Sequence, residues 1–206
     1  MNTKLSSGLW ALGAFLSLAV ALVSYRYVPA VGPVPPNVGE NLFFSPWLAL
    51  HAGGAATALL VGPLQFLPKL RARRRGLHRW MGRTYVVACL VGGLSGLPLA
   101  YGASAGPIGQ MGFGVLAVLW LFTTGQGWRL ARARRYEEHR RWMIRSFALT
   151  FAAVTLRLYL PIAPMMGYDF MEGYRIIAWA AWVPNLLLAE LYLMRGRVPI
   201  RMAPAE

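Results

Sequence analysis

Acidic side chains and cysteine are both scarce in this chain: 7 Asp and Glu stand against 21 Lys and Arg, with one cysteine in 206 residues. The lone Cys89 lies inside an apolar run, which excludes an intramolecular disulfide and a thiolate metal site and leaves packing as its role. Also missing are a serine nucleophile elbow, a phosphate-binding glycine loop, a zinc-spaced cysteine set and a pair of catalytic carboxylates. Hydrolytic and nucleotide-dependent chemistry is thereby disfavoured. Polar stretches are short: 57% of residues are hydrophobic, 14% are charged, and the mean hydropathy is +0.45, a composition suited to a bilayer rather than to water. A net charge of +14 in a soluble protein would suggest nucleic acid. Here the arginines sit in short clusters between apolar runs of about twenty residues, which is the membrane pattern. A lipid bilayer is the expected partner and nucleic acid is not.

Six runs are long enough to cross a hydrocarbon core about 30 Å thick at about 1.5 Å per residue. They lie near Gly8 to Tyr25, Pro46 to Leu67, Trp80 to Tyr101, Gln110 to Leu130, Trp142 to Pro161 and Tyr174 to Met194. Lys4 ahead of the first run resembles a secretory leader, but the apolar segment is too long and "YVPAVG" is a poor cleavage site, so it is read as a span. The expectation is one all-α integral membrane domain over residues 1–206. Arginine assigns the sides. The loops from Lys69 to Arg83 and from Arg129 to Arg145 are strongly basic, and the tail adds Arg195, Arg197 and Arg201. The opposite connections "VPAVGPVPPNVGENLFFS", "GASAGPIG" and "APMMGYDFMEG" contain neither Lys nor Arg. Both basic loops and both termini are therefore expected in the cytoplasm. Trp47, Trp80, Trp128 and Trp142 fall at span ends, where indole rings favour the headgroup region.

The phrase "HRWMGRTY" from His78 returns as "HRRWMIRSF" from His139. Aligning Trp80 and Met81 on Trp142 and Met143 also matches Arg83 with Arg145, Thr84 with Ser146 and Tyr85 with Phe147. Gln65 precedes His78 by the same separation as Gln126 precedes His139. The chain thus reads as two parallel hairpin repeats, residues 46–101 and 110–161, forming a four-helix core flanked by spans at 8–25 and 174–194. In such a core the second helices of the hairpins are diagonal partners, so His78 and His139 stand level and able to face each other. That is the position of an axial ligand pair for haem b, with Arg79, Arg83, Arg140 and Arg145 as partners for its propionates. Gly92, Gly93 and Gly96 would admit a flat ring or a neighbouring backbone. The other reading of both histidines is an interfacial anchor.

A second group is expected at the opposite end. His51 lies near the start of the second span and Arg157 eighteen residues beyond His139, both at similar depth. With Gln110, Tyr101 and Asp169 they form a candidate site for an anionic or quinone-like headgroup. Equally open is a pairing of Arg157 with Asp169 or Glu172 that pins a loop. Glu190 is expected to pair with an arginine of the basic belt, and Pro184-Asn185 to loosen the last span and free a carbonyl.

The segments "HAGGAATALLVGPLQFLPKLRARRRGLHRWMGRTY", "HRRWMIRSFALTFAAVTLRLYLP" and "WVPNLLLAELY" resemble the bacterial predicted membrane proteins of domain-of-unknown-function family 2306, over about His51 to Tyr192. The resemblance implies a multi-pass protein of the bacterial inner membrane and names no activity. A looser architectural likeness is to the ascorbate-reducible transmembrane b-type cytochromes, whose four core helices all supply histidines. Here the fourth span supplies none, so the likeness extends to His78 and His139 alone. Three functions stay open: haem-linked electron transfer to a quinone or membrane redox partner, a small-molecule binding or transport module, and a structural or assembly protein without a cofactor.

Overall fold

The computed structural model describes residues 3–195; Arg197 and Arg201 of the basic tail and the side chain of Lys4 lie outside the described residues. Every regular element among them is helical. The elements are α1 (Thr3–Tyr25), α2 (Pro36–Gly39), α3 (Trp47–Gln65), α4 (Pro68–Arg73), α5 (Arg75–Tyr101), α6 (Gly106–Arg132), α7 (Tyr136–Thr150), α8 (Ala152–Tyr159), α9 (Ile162–Met165), α10 (Phe170–Ala180) and α11 (Val183–Arg195). Five of them or their continuations are long and apolar enough to cross a bilayer: Ser7–Tyr25, Trp47–Gln65, Arg75–Tyr101, Gly106–Arg132 and Phe170–Arg195.

The fifth expected run, Trp142 to Pro161, is therefore not a continuous span. It is divided between α7 and α8 at Phe151. Two hydroxyls there turn back on their own helix: Thr150 Oγ1 donates to the Ser146 carbonyl at 2.9 Å and Thr155 Oγ1 to the Phe151 carbonyl at 3.2 Å. Val154 N–H shifts to the Phe151 carbonyl, a tighter i to i+3 bond that interrupts the regular ladder. The last run is likewise stepped between α10 and α11. Pro184 has no N–H to give, and Asn185 Nδ2 bonds the Ala181 carbonyl at 3.0 Å and Thr155 Oγ1 at 2.8 Å. The step is thus tied to α8.

Helices α3, α5, α6 and α7 pack as a ring in which α3 touches α5, α5 touches α6, α6 touches α7 and α7 touches α3. Helix α1 lies outside on α3 and α8, and α10 and α11 lie outside on α6 and α7. The ring interior holds Ala58, Tyr85, Ala88, Cys89, Trp120 and Leu149, joined by Ala152 of α8 and by Trp182 from the flank. Cys89 is fully buried there. A polar knot sits in the same core: Tyr85 OH bonds Ser146 Oγ at 3.0 Å and Thr150 Oγ1 at 2.7 Å, Thr124 bonds Ser146 at 2.7 Å, and Trp120 Nε1 donates to Thr150 at 2.8 Å. These bonds join α5, α6 and α7, and in a lipid-embedded core each polar group needs such a partner.

The glycines of α5 serve helix packing. A Cβ on Gly54 would lie 2.6 Å from the Gly92 nitrogen, so the α3 and α5 backbones touch directly. Gly93 is filled by Leu121 and Gly96 by the His51 ring. Of the two roles these glycines offered, the close approach of neighbouring groups is realised and clearance for a planar ligand is not.

Candidate functional site

The basic loops converge on a cavity of about 1240 Å³ at one end of the ring, larger than the roughly 300–1,000 Å³ of most small-molecule pockets. His78 and His139 both line it. Each is the fourth residue of its helix, α5 or α7, and its backbone N–H bonds the residue just before that helix: Arg74 at 3.0 Å for His78 and Arg135 at 2.9 Å for His139. The turn ahead of each helix therefore sets the depth of each ring.

The faces of α5 and α7 that meet the cavity correspond. Arg75, His78, Arg79, Gly82 and Val86 line it from α5, and Tyr136, His139, Arg140, Met143 and Phe147 line it from α7, each 61 residues later. These are i, i+3, i+4, i+7 and i+11 positions, one stripe of a helix. The alignment through Trp80 and Trp142 is offset from this by one, because Arg141 stands between Arg140 and Trp142 with no counterpart between Arg79 and Trp80. One residue turns a helix by about 100°, so that alignment pairs residues on different faces. Arg83 and Arg145 make the point. Arg83 lines the cavity, whereas Arg145 turns away to Glu190, donating through Nε and through Nη2 at 2.8 Å, and stacks over Trp142 at 4.8 Å. Arg145 is thus placed apart from the cavity, while Glu190 has the arginine partner expected of it.

Five residues of the expected haem group, His78, His139, Arg79, Arg83 and Arg140, therefore share the cavity. Arg71, Arg75, Arg132 and Arg134 join them, against Glu137 as the acidic lining residue. Glu137 lies 3.7 Å from Arg140. The sequence reading missed these four arginines as site residues; the signal was present in the helical spacing of Arg75 with His78 and Arg79. Arg134 is held at φ 60°, with its N–H on the Ala131 carbonyl and the Arg135 N–H on the Leu130 carbonyl. This is a Schellman helix end in which glycine is the usual occupant.

Polar atoms inside the cavity are incompletely matched. His139 Nδ1 is 2.8 Å from the Gly127 carbonyl; since a carbonyl only accepts, Nδ1 carries the proton and Nε2 of the neutral ring is left as the lone-pair nitrogen. His78 Nδ1 and Gln65 Nε2 are buried without a hydrogen-bond partner, and both residues line the cavity. Gln126, the sequence counterpart of Gln65, instead accepts from Arg129 Nε at 3.0 Å. A buried polar group of this kind calls for a partner such as water, an ion or a polar ligand.

At the other end of α3, about 20 Å away by helix rise, a smaller cavity of about 130 Å³ is lined by His51 and Arg157. The structure brings this pair together as expected. Gln110 and Tyr101 do not line it: Gln110 Nε2 donates to the Ala103 carbonyl at 3.2 Å, and Tyr101 is 72% exposed with its ring against Phe43. Asp169 caps α10 through the Met171 N–H. Arg157 pairs with neither Asp169 nor Glu172; it donates to the Ala153 carbonyl and to Ser24 Oγ, both at 2.9 Å. Ser24 and Tyr27, from the end of α1 and the turn after it, complete the wall and were not anticipated.

A ring of apolar helices with an arginine-walled cavity at one end defines the class of membrane protein. The family model of the predicted membrane proteins DUF2306 matches residues 48–193. The chain belongs to that family. No curated protein and no solved structure gives a match.

Proposed function

We propose that this protein holds haem b in the arginine-walled cavity and passes electrons in the membrane. The observation that carries the reading is that two imidazoles from diagonal helices enter one large, cationic cavity from matching positions. The residues fit such a group. His139 has its Nδ1 engaged by a backbone carbonyl, the arrangement that orients a ligating imidazole, and His78 keeps a buried nitrogen unmatched. Arg79, Arg83 and Arg140 supply fork-like donors for two carboxylates. Bound haem would supply one-electron chemistry, with a quinone or a membrane redox protein as the exchanging partner.

The same reading takes α7 and α8 together as a sixth crossing, the two hairpins as parallel copies of one template, and the basic loops and both termini as cytoplasmic in a bacterial inner membrane. A second reading is a binding or transport module for small molecules, favoured by the cavity that joins His51 to Arg157. A purely structural or assembly role gives the two cavities no use.

A reduced-minus-oxidised visible spectrum of the detergent-purified protein, expressed with ample haem, tests the proposal. Wild type is expected to show a Soret band and sharp reduced bands, lost in His78→Ala and His139→Ala. A folded wild type that remains colourless overturns it.

A further inference from the structure

The small cavity at the far end of the bundle presents a cation with no counter-ion. Among the described residues the acids in ion pairs are Glu137, Glu138 and Glu190, all at the arginine-rich end. Arg157 is in none of these pairs; its guanidinium donates to the neutral Ala153 carbonyl and Ser24 hydroxyl. A guanidinium within an apolar bundle faces the bundle interior or a polar cavity, and its remaining donors can take an anion that enters there. Beside it, His51 Nδ1 lies 2.7 Å from the Gly92 carbonyl, so Nδ1 carries the proton and Nε2 of the neutral ring is left as the lone-pair nitrogen. Ser24 Oγ is already committed, donating to the Val20 carbonyl at 2.7 Å while accepting from Arg157. It holds the guanidinium in place rather than binding a ligand itself.

The cavity thus offers a cationic donor fork and a neutral acceptor in about 130 Å³, room for about four waters at roughly 30 Å³ each. We propose that this cavity binds a small oxyanion that also bears a hydroxyl, the anionic oxygen on Arg157 and the O–H donated to His51. A glycerophosphate unit has both groups, whether as the headgroup of phosphatidylglycerol or as free glycerol 3-phosphate. Ser24 and Tyr27 precede the family-matched segment 48–193, so α1 and the turn after it complete a site that the matched segment alone leaves open. The site stands apart from the histidine cavity and does not depend on haem.

Thermal unfolding separates the sources. In an uncharged detergent, glycerol 3-phosphate is titrated; in nanodiscs, phosphatidylglycerol is compared with phosphatidylcholine, which has the phosphate without the glycerol hydroxyls. Stabilisation of wild type by the soluble ligand assigns a free oxyanion, and stabilisation by phosphatidylglycerol alone assigns a lipid headgroup. In either case the apparent affinity falls at least tenfold in Arg157→Gln and in His51→Gln, while His78→Ala retains it. If Arg157→Gln fails to fold, His51→Gln and Ser24→Ala carry the comparison. Equal response of wild type and the folded variants, or no response to either probe, overturns the proposal.

Discussion

The two hairpins of the ring, α3 with α5 and α6 with α7, present matching stripes to one cavity and yet are built differently behind it. In the first, backbones touch through Gly54 and Gly92, Tyr85 reaches across to Ser146 and Thr150, and Gln65 and His78 keep unmatched buried nitrogens. In the second, the space beside Gly127 is filled by the Met143 thioether, Phe147 stands where Tyr85 aligns through the tryptophans, and His139 is fastened to Gly127. The second histidine is oriented by its own hairpin; the first has no partner for its Nδ1. The lesson is that likeness on a binding face constrains one stripe of each helix and leaves the other faces free to diverge.

The sharpest way to break this contrast is a methyl group at each glycine. Gly54→Ala places a Cβ against α5 backbone, which cannot swing aside, and should lower unfolding free energy by about 3 kcal/mol in mixed-micelle denaturation. Gly127→Ala meets the flexible thioether end of Met143, and a loss below about 1 kcal/mol is expected. Equal losses would show that the two interfaces are not different in kind.

Next in size is the arginine pair that the tryptophan alignment equates. Arg145→Ala leaves Glu190 without its two-point partner; with side chains 17% and 33% exposed, partial solvation reduces the effect to about 2 kcal/mol. Arg83→Ala should leave stability within about 0.5 kcal/mol while weakening retention of whatever anion the cavity holds. Tyr85→Phe, which makes the first hairpin resemble the second, removes the hydroxyl at the centre of the polar knot and should cost about 1–2 kcal/mol. The last change runs the other way. Arg134→Gly relieves a left-handed backbone position and should raise stability by about 1 kcal/mol, with ligand retention in the cavity reduced; unchanged retention would show that the arginine at that strained position serves nothing in the site.

Much of this was readable from residue order. The apolar runs located α1, α3, α5, α6 and the paired α10 and α11 to within a few residues at most of their ends, because twenty apolar residues have few other uses. The basic loops pointed to the end where the large cavity lies, and His51 with Arg157 to the small one. Reading the fifth run as unbroken failed at Phe151, where hydroxyl side chains compete with the backbone ladder in a way hydropathy does not register. The register of the repeat failed by one residue at Arg141, since a shared Trp-Met pair is conspicuous in a string of letters but says nothing about which face it occupies. Gln110 and Tyr101 were grouped with His51 by depth alone, and depth does not determine direction.

What residue order determined by itself is the solvent, the helices and the end at which positive charge collects, since each depends on composition within about twenty residues and on the free energy of moving those residues into lipid. What only the tertiary structure decided is which side chains share a space: that Arg145 leaves the cavity for Glu190, that Ser24 holds Arg157, and that two histidines 61 residues apart enter one chamber. Those outcomes depend on the rotation of each helix about its axis, which is set by glycine contacts, hydroxyl bonds and helix ends distributed over the whole ring, and no local stretch of sequence contains them.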